Sequence, residues 1–490
     1  MKKFFTFIFV TIILLSPINV LSSNLKSKMV TYANFSYVRD VASTISHVYF
    51  ATTSGIIRYN KMEDRWEEPL TNNSNINHND IFRVYPDRFD NKLFAATPNG
   101  NFEYDIIFKS WFPVKEIPII DNDYVRRSAP DVMFAPPGEV YSPDGYVVDK
   151  FGRQFGFETI IDDKSGNLWI GTWGYGPAWA PTYSNVIEYL PYGLLQNRVD
   201  ALFNDNGTLF ISGESLGAFR SGISVFYPDD NWFDHIESGV GGFFGRHDIN
   251  CFEADDKYLY AGTDLGLLIF NRETFYLERQ ISERSGLPGN IVYSLELKGD
   301  SLFVGTSNGL GFLNIGNDSL SYVKPQQFTN IEIYDLATTD SSLWLATSSG
   351  AYQLKYGSGL LQKFQDPYLI IFSQALQVEY FKNRIWFSSE TGIVSMNLET
   401  GETEPYKNLK PRFNGNSIAI NDKIAVITTD IGFKIIYYKR KANVIEREFT
   451  ESDGLPSSYI NTLLLDGDYL WIGTDKGLTR FLWNDPFRVD

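Results

Sequence analysis

Gly213-Glu214-Ser215-Leu216-Gly217 has the spacing of a nucleophile elbow, which exposes its serine on a strained turn between a strand and a helix. Here the residues on both sides read as strands and no helix follows, so Ser215 reads as a loop serine. The four histidines, His47, His78, His235 and His247, are scattered and none has His-Glu-x-x-His spacing. Surface or interface roles account for them. Asp121-Asn122-Asp123 and Asp162-Asp163 lack the Asp-x-Asp-x-Asp-Gly ligand order of a calcium loop. No glycine-rich phosphate loop runs from a strand into a helix. No metal and no cofactor is expected. An enzyme would need acid and base groups converging on one pocket, and no such constellation is visible, so catalysis is not expected.

Aromatic and basic residues in long loops are more informative. Trp173, Tyr175 and Trp179 fall in one turn, and Glu214 to Ser221 lengthens the corresponding turn of the next unit. Arg126 and Arg127 lie in the extended Lys115 to Pro130 connection, and Phe243, Phe244, Arg246 and His247 in the Ser238 to Asp248 connection. Loops longer than closure requires tend to carry function. Aromatic faces beside guanidinium groups suit a neutral or anionic ligand that is sugar-like or aromatic. The competing reading is that these side chains fold down and cap the cores of the units.

The elements that must position them form a repeat. Tyr469-Leu470-Trp471-Ile472-Gly473-Thr474-Asp475-Lys476-Gly477-Leu478 is a hydrophobic run, a polar turn and a second run starting at glycine. This reads as two antiparallel strands. Versions of the phrase end at Gly55, Gly100, Gly145, Gly176, Gly222, Gly266, Gly309, Gly350, Gly392, Gly432 and Gly477, which makes eleven. Successive glycines are 40 to 46 residues apart, except for 31 between Gly145 and Gly176. Roughly 40–45 residues is the period of a four-stranded propeller blade. The fold expected is all-β: a β-propeller of about eleven four-stranded units. Eleven exceeds the usual four to eight of one ring, so two rings are expected, with one large ring as the alternative. The glycine-rich Ser238 to Gly245 stretch divides units one to five (23–245) from units six to eleven (246–490). Met29 to Phe35 reads as an extra strand able to pair with the far end of the chain.

Ser452-Asp453-Gly454-Leu455-Pro456 ahead of the Leu-Trp-Ile-Gly-Thr strand, and the similar Ser285-Gly286-Leu287-Pro288-Gly289-Asn290, resemble the two-component regulator propeller repeat. The resemblance implies an extracytoplasmic ligand-binding propeller of the sensor type. It also extends to propeller accessory proteins of bacterial surface secretion. After Phe481 the sequence given shows no β-sandwich, membrane helix or kinase of the kind that follows in the sensors.

Met1-Lys2-Lys3 followed by the apolar Phe4 to Leu15 reads as a secretory signal peptide over 1–22, with cleavage near Ser22/Ser23. No transmembrane segment is expected afterwards, and the location expected is extracytoplasmic: periplasmic, secreted or at the cell surface. With 43 Lys+Arg against 59 Asp+Glu the chain is acidic, which argues against nucleic acid as a partner. The lone cysteine, Cys251, excludes an internal disulfide. The function expected is non-catalytic binding or sensing of a small molecule, a glycan or a protein partner of membrane or secretion type. The alternatives are a scaffold or accessory protein of surface secretion, and a polysaccharide-acting enzyme.

Overall fold

The computed structural model describes residues 29–71, 79–106, 109–120, 122, 124–128, 133–214, 220–239, 247–315, 330–412, 416–437 and 445–485. The expected signal peptide lies outside the described residues. Apart from two short 3-10 turns, Glu283–Ser285 and Glu451–Asp453, the regular structure described is all β. No described helix is long and apolar enough to cross a membrane.

The described strands form ten antiparallel sheets. In chain order they are sheet 1 (38–66), sheet 2 (83–114), sheet 3 (125–189), sheet 4 (201–237), sheet 5 (249–281), sheet 6 (292–314), sheet 7 (333–363), sheet 8 (377–406), sheet 9 (418–450) and sheet 10 (460–482). The eleven recurring phrases map onto ten sheets because the phrases ending at Gly145 and Gly176 share sheet 3. There the Val140–Ser142/Tyr146–Val148 hairpin pairs onto Gln154–Asp162 and makes a seven-stranded sheet. That sharing accounts for the single short interval.

The recurring turn has a stereochemical cause. The Thr474 hydroxyl donates to the Gly477 carbonyl at 2.9 Å and accepts from the Lys476 amide at 3.1 Å. Thr52, Thr97, Thr263, Thr306 and Thr347 donate to the glycine carbonyl three residues on in the same way. Gly477 has φ +135°, and a Cβ there would stand 2.4 Å from the Tyr32 carbonyl of the adjoining strand. Only glycine accommodates both the dihedral and the approach.

Contacts between first strands arrange the sheets. Ala201–Asp205 packs on Ile249–Ala254, and the succession continues through Val292–Lys298, Ile333–Thr338, Gln377–Phe381 and Ile418–Ile420 to Ile460–Asp466. Ile460–Asp466 packs back on Ala201–Asp205, so sheets 4 to 10 close on themselves as seven. The last sheet is completed by Met29–Tyr32, which pairs with Gly477–Leu482 from Met29↔Phe481 to Tyr32↔Leu478. The chain thus enters the ring at its closing strand, leaves it to build sheets 1 to 3, and returns at Leu190–Arg198. On the way out and back it runs alongside itself, with the Leu194 amide donating to the Ala33 carbonyl at 2.9 Å. Sheets 4 and 5, on either side of the expected division at 245/246, pack together; residues 240–246 lie outside the described residues.

Sheets 1 to 3 gather around Val38–Ser43, which packs on Arg83–Pro86, Gln154–Asp162 and Asn167–Trp173. One apolar cluster joins them to the ring: Trp66 and Tyr192 stack at 4.7 Å, Tyr192 meets Phe233 edge-on at 5.4 Å, and Phe226 meets Trp471 at 5.9 Å.

Candidate functional site

The first strands of five sheets share a β-bulge, seen as a register shift at Val38/Asp40, Ile249/Cys251, Val292/Ser294, Ile333/Asp335 and Ile460/Thr462. A bulge re-aims side chains beside it. The extra residue is Arg39, Asn250, Tyr293, Tyr334 or Asn461, a polar or amphipathic side chain each time. In sheet 1 this places the Arg39 guanidinium against two aromatic rings, 5.3 Å from Phe82 and 5.3 Å from Trp173. Tyr37 meets Trp173 edge-on at 5.1 Å. Asp80 holds Arg39 in a two-point pair at 2.6 and 3.1 Å. Trp173 remains 38% exposed and Phe82 43% exposed. The result is a charge-balanced, partly open aromatic platform where sheets 1 and 3 meet.

Of the residues singled out in the sequence, Trp173 belongs to this platform. Arg126 flanks it through Asp40, the neighbour of Arg39, at 2.7 Å. Arg127 is bound by Asp162 at 2.9 and 2.5 Å. Both arginines are thus matched by carboxylates, and the described platform carries little net charge.

Tyr175 and Trp179 lie elsewhere and pack inward. Trp179 sits on Pro177–Pro181 against Trp169, at 6.2 Å between ring centres, beside the shared apolar cluster. Tyr175 packs at a tilt against Tyr189 at 4.0 Å and meets Phe155 edge-on at 4.5 Å, and burial pushes its hydroxyl pKa up. The Arg220 guanidinium covers its ring at 4.5 Å. Glu139 accepts from Tyr175 at 3.3 Å and from Tyr189 at 2.7 Å. Glu237 takes Arg220 from the ring and Arg153 from sheet 3. Burial alone would raise the Glu237 carboxyl, but Arg220 and then Arg153 hold it down to about 2. This cluster joins the two groups of sheets, and for Tyr175 and Trp179 the packing reading describes what the structure shows. Phe243, Phe244, Arg246 and Ser215 lie outside the described residues; His247 is buried.

The other histidines have local partners. His47 lies between Asp90 at 3.1 Å and Glu67 at 3.0 Å, and those hydrogen bonds lift its pKa to about 9. His235 reaches the Gly193 carbonyl at 3.0 Å; burial, then Arg220, lower its pKa to about 4. His78, Asp121 and Asp123 lie outside the described residues. Asp163 accepts from the Trp169 indole at 3.0 Å and the Ser165 amide at 2.8 Å. Among the described residues no group of three or more His, Cys, Asp or Glu side chains is placed to hold a metal ion. Cys251 is a free thiol whose pKa burial raises.

Sequence reading missed Arg39, Tyr37 and Phe82. The signal was the polar residue recurring at one offset of the first strand, where an aliphatic residue would ordinarily fill a core.

Residues 454–476 match the family model described as two component regulator propeller. Among solved structures, PorZ, an essential bacterial surface component of the type-IX secretion system of Porphyromonas gingivalis, aligns with TM-score 0.50 and 13% identity over 91% of this chain and 74% of that one. The extracellular domain of BT3049 from B. thetaiotaomicron aligns with TM-score 0.49 and 17% identity over 91% of this chain. The chain spans 56% of that domain's length. At these identities the likeness to PorZ speaks for the fold. No curated protein matches. The matched residues 454–476 run from the 3-10 turn's Gly454 cap, at φ 113°, through the Leu-Trp-Ile-Gly-Thr strand.

Proposed function

We propose that the protein is an exported, non-catalytic recognition propeller of the sensor or accessory kind, and that the Trp173–Arg39–Phe82 platform holds a neutral, sugar-like or aromatic ligand. One observation carries the reading: two exposed rings flank a guanidinium whose charge is already balanced by Asp80. Exposed aromatic surface is costly to leave in water, and a sugar face or a planar ring covers it while the Arg39 and Asp80 edges supply hydrogen bonds. The balanced pairs disfavour a highly charged ligand. The extracytoplasmic location rests on the basic, apolar N-terminal residues of the sequence.

A second reading, a scaffold of surface secretion, draws on the likeness to PorZ, a type-IX secretion component. Thermal shift separates the two. Purified protein is screened against neutral oligosaccharides and cell-wall fragments. A ligand at 100 times its Kd stabilises by about 2.7 kcal/mol. Trp173→Ala and Arg39→Ala should abolish that shift while retaining the fold. No shift with any saccharide, or a shift that survives both substitutions, would move the reading to a scaffold or to another surface.

A further inference from the structure

Where one sheet packs on the next, the middle of the third strand must help to fill the space between them. Sheets 4, 5 and 9 use an aliphatic residue: Val225 opposite Phe210, Ile269 opposite Tyr260 and Ile435 opposite Val426. All three aliphatic side chains are buried. Sheets 1 and 10 place Arg58 and Arg480 there, and each is paired with a carboxylate, Glu67 at 2.9 Å and Glu68. Sheet 7 does neither. Gln353 lies opposite Trp344, and Gln362 extends the row onto the outer strand Leu361–Lys363. Cross-strand partners share a face, so two amides stand where those five sheets hold hydrocarbon or a matched charge.

The space beside them stays open. Sheet 8 bounds it with Met396 and Thr403, and the connection between the sheets with Phe364 and Gln365, leaving a cleft of about 440 Å³. The equivalent cleft between sheets 5 and 6, lined by Ile269 and Leu313, is about 210 Å³. Small-molecule sites run from roughly 300 to 1,000 Å³. Gln353 gives one N–H to the Ser342 hydroxyl at 2.9 Å. The Gln362 and Gln365 side chains make no hydrogen bond to a described residue. Trp344, which also lines the cleft, is 3% exposed, and its indole N–H has no acceptor among the described residues. The nearby charges are already engaged. Lys363 turns its ammonium onto the faces of Tyr352 and Phe372, at 5.9 and 5.1 Å. Asp366 accepts from the Tyr368 and Ile371 amides at 2.8 and 3.0 Å, and Glu404 pairs with Arg384 at 2.7 Å.

We propose that this cleft is a second binding site, separate from the Trp173–Arg39–Phe82 platform, for a neutral sugar bearing an acetamido group. A glutamine amide offers a carbonyl acceptor and N–H donors, which match the N–H and C=O of an acetamido group one for one. The acetyl methyl finds hydrocarbon on Met396 and Phe364, and Thr403 adds a hydroxyl for the sugar. A charged ligand would lose hydration there and meet no free counter-charge. An unsubstituted sugar lacks the methyl that covers the hydrocarbon, so it binds more weakly.

The test is calorimetric titration of the full chain carrying Trp173→Ala, which removes an exposed ring of the platform so that the cleft is read apart from it. The probe is N,N′-diacetylchitobiose. Cellobiose supplies the same disaccharide frame without acetamido groups, and a capped trialanine peptide supplies amides without a sugar. Diacetylchitobiose should bind, and cellobiose and the peptide should bind at least about tenfold more weakly. Gln362→Ala, at an exposed position, should weaken diacetylchitobiose about tenfold. Gln353→Leu restores the aliphatic filling of sheets 4, 5 and 9 and should abolish binding while the melting temperature is kept. If Gln353→Leu fails to fold, Gln362→Ala decides alone. Absence of binding, equal binding of cellobiose, tighter binding of the peptide, or an affinity that Gln362→Ala leaves unchanged would each overturn the proposal. None of those results touches the platform, whose own test uses the unsubstituted protein.

Discussion

Arg153 of sheet 3 and Glu237 of sheet 4 meet at 3.0 Å, across the boundary between the inserted sheets and the ring. The same carboxylate binds Arg220 of the ring at 3.0 Å through Nε. Glu237→Gln removes the charge and leaves Arg220 buried opposite a neutral amide. Breaking a buried pair from one side costs about 3–5 kcal/mol, read by urea unfolding. The Glu237 carboxyl is held down to about 2, so its contribution is present above about pH 4.5 and is lost as pH falls from there toward 2. In the variant that acid-side loss should shrink.

Removing residues up to Tyr32 should open the ring. Tyr32 is fully buried, packs on Phe226 at 4.6 Å and on Phe233 at 5.7 Å, and its strand supplies the fourth member of sheet 10. The expected result is loss of a single cooperative unfolding transition, with early proteolysis within sheet 10. An unchanged melting curve would show that the closing strand adds nothing.

Trp471 is 1% exposed and lies between the last sheet and Phe226 of sheet 4. Trp471→Ala should destabilise by about 3–5 kcal/mol. A cost below about 1 kcal/mol in chemical denaturation would contradict its place in the seam.

His47 pairs with Asp90 and Glu67, and its pKa is raised to about 9. Its stabilisation is whole below about pH 6.5 and is lost as pH rises through 9. His47→Gln should flatten the fall in melting temperature over that window and lower stability at pH 6. An NMR titration placing the imidazole midpoint near 6.5 would contradict the pairing.

The architecture was legible because one local solution, a threonine hydroxyl bridging to a glycine three residues on, is written out again in six of the ten sheets. Met29 to Phe35 could be read as an extra strand because an apolar segment without its own turn must pair somewhere. The grouping of sheets was not legible: it depends on which first strands pack, and a repeat looks the same in either group. The short Gly145 to Gly176 interval marked the place where two phrases share one sheet. Loop length selected Trp173, which is exposed, together with Tyr175 and Trp179, whose rings pack inward because both groups of sheets need aromatic filling at their junction. Arg39 was hidden because a charged residue within a strand pattern reads as a solvent-facing position, whereas the bulge turns it toward Phe82 and Trp173.

The hydroxyls of Thr31 and Thr479 lie 2.9 Å apart although 448 positions separate them. A ribosome delivers the closing strand long before its partner, so the ring cannot shut until Gly477–Leu482 has been made. Pairing over such a separation is slow, and until Gly477–Leu482 arrives the waiting strand is an open edge available to any other extended chain. Any product that ends before Leu482 keeps that edge for good. Ring closure therefore acts as a checkpoint, in which only a chain synthesised through sheet 10 can satisfy the strand Met29–Tyr32.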